Sequence, residues 1–413
     1  MNMIVDNPKD RVQINEPLSP DTSCRKVLNY AEAHDYTGYG KFDALNSPFL
    51  KALSFNNKWL RLVVSQIIKR TPIHIRPVLG VRQYKNPKGM ALFARAYLNL
   101  YQVYNDPHDL EQAKYCLSWL QDNYAAGYAG YCWGYNWDWQ DLGFFAPFGS
   151  PNCVVTTFVG QALLDGYELM GDAKYLEMVR GSVEFIQQDL KVLFEDDAMK
   201  CVSYVPARDI KMVVMDVSAL AGALLARVAQ HTGETALAQE ARKLVNYVVD
   251  KQTDYGAWYY THPPGDSPVK HDNYHTGFIL DAILDYELAT GDDRFRAAYR
   301  RGLKFYRDEL FLANGAPKWM SHKVYPFDIH GSGTGIGTFS RAARYDDPSN
   351  LDQAALIAQW AIEHMQAPHG YFYYQRSQYW VKKYTLMRWC NGWMAHGLSH
   401  LLLARHILSQ DKI

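Results

Sequence analysis

The sequence predicts an all-α protein built from a repeated helical hairpin, and three observations indicate this fold. A helix, a tight turn marked by GD, GE or ND, and a second helix recur along the chain. The first helix of each copy is apolar nearly all round, as a buried inner helix is, whereas the second has one charged face. The copies are spaced by roughly 55–65 residues, longer than the ~34-residue repeat of an open tetratricopeptide solenoid.

The two clearest copies align without gaps. Residues 153–172 read CVVTTFVGQALLDGYELMGD, and residues 273–292 read NYHTGFILDAILDYELATGD. Seven positions carry the same residue in both: Thr156 and Thr276, Phe158 and Phe278, Ala162 and Ala282, Leu164 and Leu284, Asp165 and Asp285, Gly171 and Gly291, Asp172 and Asp292. Weaker copies read GMALFARAYLNLYQVYND and VSALAGALLARVAQHTGE. The repetition indicates that successive hairpins pack side by side.

Six inner helices are expected, beginning near residues 88, 154, 216, 275, 334 and 387. Five are followed by an outer helix, and the sixth ends the chain. We therefore expect the N-terminal helix, within residues 46–70, to pair with the last inner helix and close the ring. The sequence thus predicts an (α/α)6 toroid, as a single domain over residues 45–413 that follows an N-terminal extension, residues 1–44.

Composition excludes several classes of protein. The chain is 413 residues long, 48% hydrophobic and 21% charged, with zero formal net charge. It can bury a large core, and bulk charge would not draw it to nucleic acid or an acidic membrane. We expect no membrane insertion, because no run approaches 18 apolar residues. The N-terminus has no signal-peptide pattern, which favours a cytoplasmic protein with reduced cysteines. Nothing in the sequence indicates an oligomeric state.

The loops that lead into the inner helices are long and aromatic, and they should share one face of the ring. Aromatic rings with polar edges suit a sugar, which offers C–H faces and hydroxyl edges. A lid that packs over the ring would use the same residues. The tryptophans in these loops and just inside the last inner helix are Trp133, Trp137, Trp139, Trp258, Trp319, Trp380, Trp389 and Trp393.

The same loops gather cations, including Lys270 and Arg388, among a similar number of carboxylates. A cationic face suits an anionic ligand such as a uronic acid or a sugar phosphate. A solvated loop face explains the charges equally well.

Residues 270–275, KHDNYH, are all polar or titratable, and they lead into the fourth inner helix. We expect Asp272 and His275 to act as acid or base in the cavity, with Lys270, His271, Asn273 and Tyr274 binding substrate. Capping of the helix by Asp272 or Asn273 is the simpler alternative. His271 and His275 also have the spacing of a zinc motif, but the motif's Glu is missing. We expect no metal and no cofactor.

Two further loops carry similar groups. WGYNWDWQDLGFF places Asp138 and Asp141 among aromatic rings, where partial desolvation raises a carboxyl pKa towards that of a general acid. SHKVYPFDIHGSGTGIG carries Asp328 and His330 as candidate catalytic groups before a glycine-rich helix entry. Its other candidate substrate contacts are His322 and Tyr325.

The hairpins, the YEL…GD endings at 167–172 and 286–292, and the H-D…G-F segment resemble the six-hairpin carbohydrate enzymes. That group includes unsaturated glucuronyl hydrolases, and related toroids serve sugar epimerases and polysaccharide lyases. The resemblance covers about residues 45–408. It implies an oligo- or polysaccharide substrate that contains uronate, and acid–base hydrolysis with Asp272 or Asp138 as the acid.

HDNYHTGF has three residues more than the hydrolases' pattern between H-D and G-F. A uronate lyase or sugar epimerase of polysaccharide biosynthesis therefore stays an alternative, with Tyr274, His275, His330, Asn273 and Arg388 as its acid–base and charge-neutralising groups. A non-catalytic glycan-binding ring is the third alternative.

Overall fold

The computed structural model describes residues 18–207 and 209–410, and within them it places fourteen α-helices. Residues 1–17 of the predicted N-terminal extension lie outside the described residues. The inner helices are α4 (Pro87–Tyr104), α6 (Cys153–Met170), α8 (Met215–Thr232), α10 (Asn273–Thr290), α12 (Ile329–Tyr345) and α14 (Trp393–Gln410), the last preceded by a π-helical turn (Met387–Gly392). Each inner helix contacts the next, and α14 contacts α4. The predicted all-α toroid is therefore confirmed.

Outer helices cover the ring: α5 (Pro107–Asp122), α7 (Ala173–Gln188), α9 (Thr235–Asp250), α11 (Arg296–Leu310), α13 (Asn350–Met365) and α1 (Pro20–Ala33). The tight turns at hairpin ends rely on a left-handed residue. Gly171 and Gly291 end α6 and α10 at φ 73° and 71°. Only glycine adopts this conformation without strain, which explains why both repeats end in GD.

The ring is closed by α1, which packs against α13 and α14. The sequence indicated residues 46–70 for this role, and the structure corrects that choice. Helix α1 buries a stripe of Cys24, Val27, Leu28 and Ala31, spaced as one helix face. It lies in the segment predicted as an extension, which in its described part belongs to the ring.

Residues 46–70 instead belong to an excursion, residues 46–80, outside the twelve-helix ring. It contains α2 (Pro48–Leu53) and α3 (Lys58–Arg70), after a 3₁₀ turn (Asp43–Asn46). Its small core, Ala44, Leu50, Ile68 and Val81, is separate from the main core. The segment looked like a ring helix because it is apolar, but much of that apolar surface faces outwards.

Short strands hold the long loops over the N-terminal ends of the inner helices. They are β1 (Trp139–Gln140), β2 (Phe145–Ala146), β3 (Val192–Glu195), β4 (Lys200–Val202), β5 (Val213–Val214), β6 (Thr261–His262), β7 (Phe327–Asp328), β8 (Gln375–Arg376) and β9 (Val381–Lys382). All pairings are antiparallel: β1 with β2, β3 with β4, β5 with β6, and β7–β8–β9. Pairing of β5 with β6 joins the loops before α8 and α10.

Among the described residues no helix has both the length and the apolarity that a membrane span requires. The glycine-rich segment GSGTGIG lies inside α12, which begins at Ile329, five residues before the predicted start. Its glycines allow close contact with α14: a Cβ on Gly333 would stand 2.6 Å from the carbonyl oxygen of Trp393.

Candidate active site

A cavity of about 220 Å³ opens at the N-terminal ends of the inner helices. The side of the cavity next to the excursion is formed by Phe42 and the inward face of α3. The charged, polar, tyrosine and tryptophan residues that line the cavity are Lys69, Lys88, Tyr135, Trp139, Gln140, Asp141, Tyr204, Asp216, Tyr260, Tyr274, His275, Trp319, His330, Arg388 and Trp389. The predicted loop face therefore does contain a cavity with titratable groups.

Every inner helix contributes its second residue to this cavity. These residues are Lys88, Val154, Asp216, Tyr274, His330 and, from the π-helical turn, Arg388. We refer to these six as the second-residue ring. An α-helix carries a partial positive charge, roughly half a unit, at its N-terminus, so the converging helices favour negative charge that develops in the cavity.

His275 is held by a carboxylate. Its Nδ1 lies 2.8 Å from Oδ2 of Asp272, which leaves Nε2 as the ring nitrogen available to a substrate. Burial alone would lower the pKa of His275, but Asp272 and Asp216 outweigh it, and the pKa is raised above its ordinary value. The surroundings of His275 therefore favour the protonated form of its imidazole.

His330 has the opposite environment. Its ring is packed between those of Tyr274, Trp389 and Trp393, with centroid distances of 4.5, 4.3 and 4.5 Å. Nδ1 lies 3.2 Å from Oγ1 of Thr334. Burial, and then the positive charges of Lys88, Arg388 and Lys41, lower the pKa of His330 well below its ordinary value. His330 is therefore neutral, and Nε2 can accept a proton in the tautomer in which Nδ1–H donates to Thr334.

Asp216 adds a buried carboxyl group to the cavity. It is 2% exposed, and its Oδ1 has no hydrogen-bond partner among the described residues. Burial raises the pKa of Asp216, while His275 and Lys88 act in the opposite direction. An unpartnered acceptor in this position is available to a substrate hydroxyl.

Lys88 and Arg388 are buried cations that rest on aromatic faces. Nζ of Lys88 lies 3.6 Å from the ring centroid of Phe158. The Arg388 guanidinium lies 5.2 Å from the Tyr135 and Trp389 centroids, and its Nε has no partner among the described residues. Burial lowers the pKa of Lys88 well below its ordinary value. Both groups can stabilise an anionic oxygen in the cavity.

The structure brings seven of the predicted site residues to this cavity: Trp139, Asp141, Tyr274, His275, His330, Arg388 and Trp389. Asp272 stands behind His275 as its hydrogen-bond acceptor. It occupies the N-cap position of α10, but its side chain accepts no backbone hydrogen bond there. Its contact with His275 therefore replaces the capping role considered from the sequence.

Asp138 and Asp328 lie away from the cavity lining and hold loops in place. Asp138 pairs with Lys51 at 2.5 Å and accepts a hydrogen bond from the backbone N–H of Phe148. Asp328 caps α12 through the N–H of His330 and accepts hydrogen bonds from Nε1 of Trp389 and from Gln375. Nζ of Lys41 lies 3.4 Å from Oδ2 of Asp328. Asp328 thus orients two cavity residues and does not itself line the cavity.

Several predicted sugar contacts belong to the core or the outer surface. The indole N–H groups of Trp133 and Trp258 donate to the carbonyls of Leu120 and Val248. Trp137 is buried against Tyr135, while Trp380 is 54% exposed. Of the eight tryptophans named from the sequence, Trp139, Trp319 and Trp389 line the cavity, and Trp393 packs against His330.

The remaining predicted contact residues at the entry of α10 bind backbone carbonyls of neighbouring segments instead of lining the cavity. Nζ of Lys270 donates to the carbonyl of Pro264 at 2.7 Å. Asn273 donates to the carbonyl of Leu310. His271 bonds the carbonyl of Trp258 and, with His322, lines a separate surface depression. Tyr325 packs on Phe327 outside the cavity lining.

The sequence prediction did not name Lys88, Lys69, Tyr135, Tyr204, Tyr260 or Asp216 as site residues. A signal for two of them exists. Lys88 and Asp216 are the only charged residues in the first turns of their helices, at the same repeat position as His330. The three tyrosines come from loops whose path the repeat does not define.

No family model matches the chain, and no curated protein is similar to it in sequence. Solved structures do share its fold. A cellobiose 2-epimerase from Bacillus thermoamylovorans has a TM-score of 0.59 at 12% identity, covering 78% of this chain and 90% of its own. The GH76 α-mannanase of Bacteroides thetaiotaomicron scores 0.59 at 14% identity, with coverages of 88% and 99%. An unsaturated glucuronyl hydrolase specific for heparin scores 0.56 at 11%, with coverages of 81% and 89%. The chain thus has the six-hairpin toroid fold of carbohydrate enzymes that catalyse different reactions.

Proposed function

We propose that the protein is a sugar epimerase that moves a proton at the carbon next to the carbonyl of a small reducing sugar. The observation that carries this proposal is the pair His275 and His330, which line one cavity and whose surroundings shift their pKa values in opposite directions. Two titratable groups whose environments push their pKa values apart identify the acid and the base of a proton-transfer reaction.

Each histidine has one defined role. Neutral His330 takes the proton from C2 through Nε2, and the C–H electrons form the C1–C2 double bond while the carbonyl oxygen becomes an oxyanion. Protonated His275 delivers its proton to the opposite face of C2, and the oxyanion collapses back to the carbonyl. The sugar loses one proton and gains one. His330 then releases its proton to solvent and His275 takes one up, which restores both starting protonation states.

The second-residue ring supplies the electrostatic part of the reaction. Arg388, Lys88 and the helix N-termini surround the position where the oxyanion forms. Such fixed groups act most strongly where water is excluded, and Arg388 and Lys88 are 4% and 2% exposed. Their charge also supports the narrower expectation that the sugar carries a carboxylate, as a uronate does.

The size of the cavity supports a small substrate. Its volume of about 220 Å³ lies below the range of roughly 300–1,000 Å³ typical of sites for drug-sized ligands. Trp389, Trp319 and Tyr260 offer ring faces to the C–H groups of a sugar. A mono- or disaccharide fits this setting better than a long polymer. A cellobiose 2-epimerase is among the solved structures with this fold.

Glycoside hydrolysis is the second candidate, and Asp216 favours it. A buried carboxyl group whose pKa is raised by burial has the property of a general acid. Asp141 supplies a second carboxyl group in the same cavity, and burial raises its pKa as well.

One experiment separates the two candidates. The protein is incubated in D2O with glucose, mannose, cellobiose, glucuronate, galacturonate and unsaturated uronate disaccharides, and the sugars are followed by NMR. Epimerisation gives the C2 epimer with deuterium at C2, and His275→Asn or His330→Asn abolishes it. His322→Asn, outside the cavity, is the control and retains activity. Cleavage of a disaccharide with no deuterium at C2 would contradict the epimerase and establish hydrolysis.

A further inference from the structure

The excursion exposes the densest group of large apolar side chains in the described part of the chain. Phe49, Leu53, Phe55, Trp59, Leu60, Val63, Ile67, Ile73 and Val78 are each between 41% and 88% exposed. Single exposed apolar residues are normal, but a contiguous group marks a surface that meets another apolar phase. The ring itself does not need these residues, because the excursion has its own small core.

Helix α3 arranges part of this surface as one face. Trp59, Val63 and Ile67 follow each other at four-residue spacing and line a shallow, almost wholly apolar groove of about 490 Å³ with Leu62 and Leu142. The opposite face of α3 buries Ser65 and Ile68 against the protein. The helix is therefore amphipathic with an apolar side that has no partner among the described residues.

The charge of the excursion has one sign. Residues 46–80 contain Lys51, Lys58, Arg61, Lys69, Arg70 and Arg76 and no aspartate or glutamate, although the whole chain is neutral. Lys51 and Arg76 pair with carboxylates of the protein. Lys58 instead bonds the carbonyl of Leu142, and Arg61 bonds Asn56. The exposed apolar side chains are thus interspersed with basic groups.

We propose that the excursion, residues 46–80, binds the surface of an anionic lipid bilayer, with the apolar side of α3 seated among the headgroups. Exposed aromatic and aliphatic side chains flanked by lysine and arginine are the features of helices that lie in a membrane interface. A second copy of this chain fits less well. A two-fold contact would bring the basic groups of both copies, such as Lys58, Arg61 and Arg70, into one interface, and this segment has no aspartate or glutamate to pair with them.

This placement has a consequence for the cavity. Leu62, Gln66 and Leu142 line both the apolar groove and the cavity of the candidate active site. The cavity mouth therefore lies at the edge of the lipid-binding surface, and sugars would enter and leave next to the bilayer.

The test is co-sedimentation of the full chain with vesicles of pure phosphatidylcholine and of phosphatidylcholine with 30% phosphatidylserine. We expect binding to the anionic vesicles and at least tenfold weaker binding to the neutral ones, with loss in high salt. Each basic residue near the surface contributes about fivefold to the partition constant. Lys58→Glu with Arg61→Glu should therefore reduce binding by more than about twentyfold.

The apolar contribution has its own variant and a matched control. Trp59→Ser with Ile67→Ser should lower binding to anionic vesicles at least tenfold with an unchanged melting temperature, because both side chains are already exposed. Phe194→Ser removes a side chain that is 41% exposed elsewhere and should bind like the wild type. Failure to bind anionic vesicles would overturn the proposal. So would a dimer in sedimentation equilibrium that Trp59→Ser dissociates, since this face would then join two copies.

Discussion

Nδ1 of His275 and Oδ2 of Asp272 are 2.8 Å apart, and this contact links the entry of α10 to the chemistry of the cavity. Asp272 is 1% exposed and His275 reaches the cavity, so the carboxylate supports the imidazole from the protein side. The pair leaves Nε2 as the ring nitrogen available to a ligand and favours the protonated form of the imidazole.

Asp272→Asn should remove that support. The pKa of His275 should fall, and turnover should decrease by about 10²-fold with little change in KM, because the acid loses its proton at working pH. The pH optimum should move to lower pH. A loss of turnover with an unchanged pH profile would mean that Asp272 matters only for folding.

The same pair makes stability depend on pH. Because the pKa of His275 is raised in the folded state, its protonation stabilises the fold below the unfolded value of about 6.5. This stabilisation disappears as pH rises through the folded pKa. The difference in unfolding free energy between wild type and His275→Asn, measured by urea denaturation, should therefore be larger at pH 5.5 than at pH 9. A difference that grows with pH would contradict the assigned charge.

Lys88→Met should separate catalysis from stability. Lys88 is a buried cation that holds down the pKa of His330, so its removal should move the acidic limb of the kcat/KM profile to higher pH. The free energy of unfolding should stay equal or increase, because burial of the charge is costly. Lys174→Met, on the exposed side of α7, is the control and should change neither property. An unshifted acidic limb would show that Lys88 does not act on His330.

Arg388→Ala tests the charge of the substrate. If Arg388 binds a uronate carboxylate, KM for the uronate should rise at least tenfold, while the neutral analogue keeps its KM. If Arg388 only stabilises the oxyanion formed during the reaction, kcat should fall equally for the uronate and the neutral sugar. That second result would contradict a uronate substrate but would remain consistent with epimerase activity.

The contact between α12 and α14 predicts unequal costs for two glycines of the same helix. A Cβ on Gly333 would meet the backbone of Trp393 at 2.6 Å, whereas a Cβ on Gly337 has its nearest neighbour at 3.9 Å. Gly333→Ala should therefore destabilise the protein by about 1–3 kcal/mol, from overpacking. Gly337→Ala should be neutral or stabilise it by about 0.5–1 kcal/mol, through the better helix propensity of alanine. Thermal unfolding measures both, and equal effects would contradict the close packing.

The ring could be predicted from the sequence because each hairpin must bury one apolar inner helix, and this requirement recurs in every copy. Four of the six inner helices begin within two residues of their predicted positions, and the π-helical turn before α14 begins at the position predicted for the last one. The GD turns end α6 and α10 as expected. The closing helix was misplaced because apolar content alone does not reveal which way a helix faces. Helix α1 buries its apolar stripe, whereas α3 exposes Trp59, Val63 and Ile67.

The site was predicted in part, and the reason lies in the repeat. His275 and His330 were found because histidines at a helix entry stand out in the sequence. Lys88 was not, since a lysine after Pro87 looks like an ordinary exposed first-turn residue until the helix is known to be central. Asp138 and Asp328 were selected for their aromatic and glycine-rich neighbours, but their partners Lys51 and Trp389 come from segments distant in sequence. Such long-range pairings leave no local pattern.

The central claim is that two histidines share one cavity in opposite protonation states. Its most direct test is an NMR titration of the full chain labelled with 15N-histidine, with resonances assigned through His275→Asn and His330→Asn. The account predicts that His275 titrates above its ordinary value of about 6.5 and that His330 stays neutral throughout the range in which the protein is folded. Titration of both rings near 6.5 would contradict it, because neither residue would then be fixed as the acid or the base.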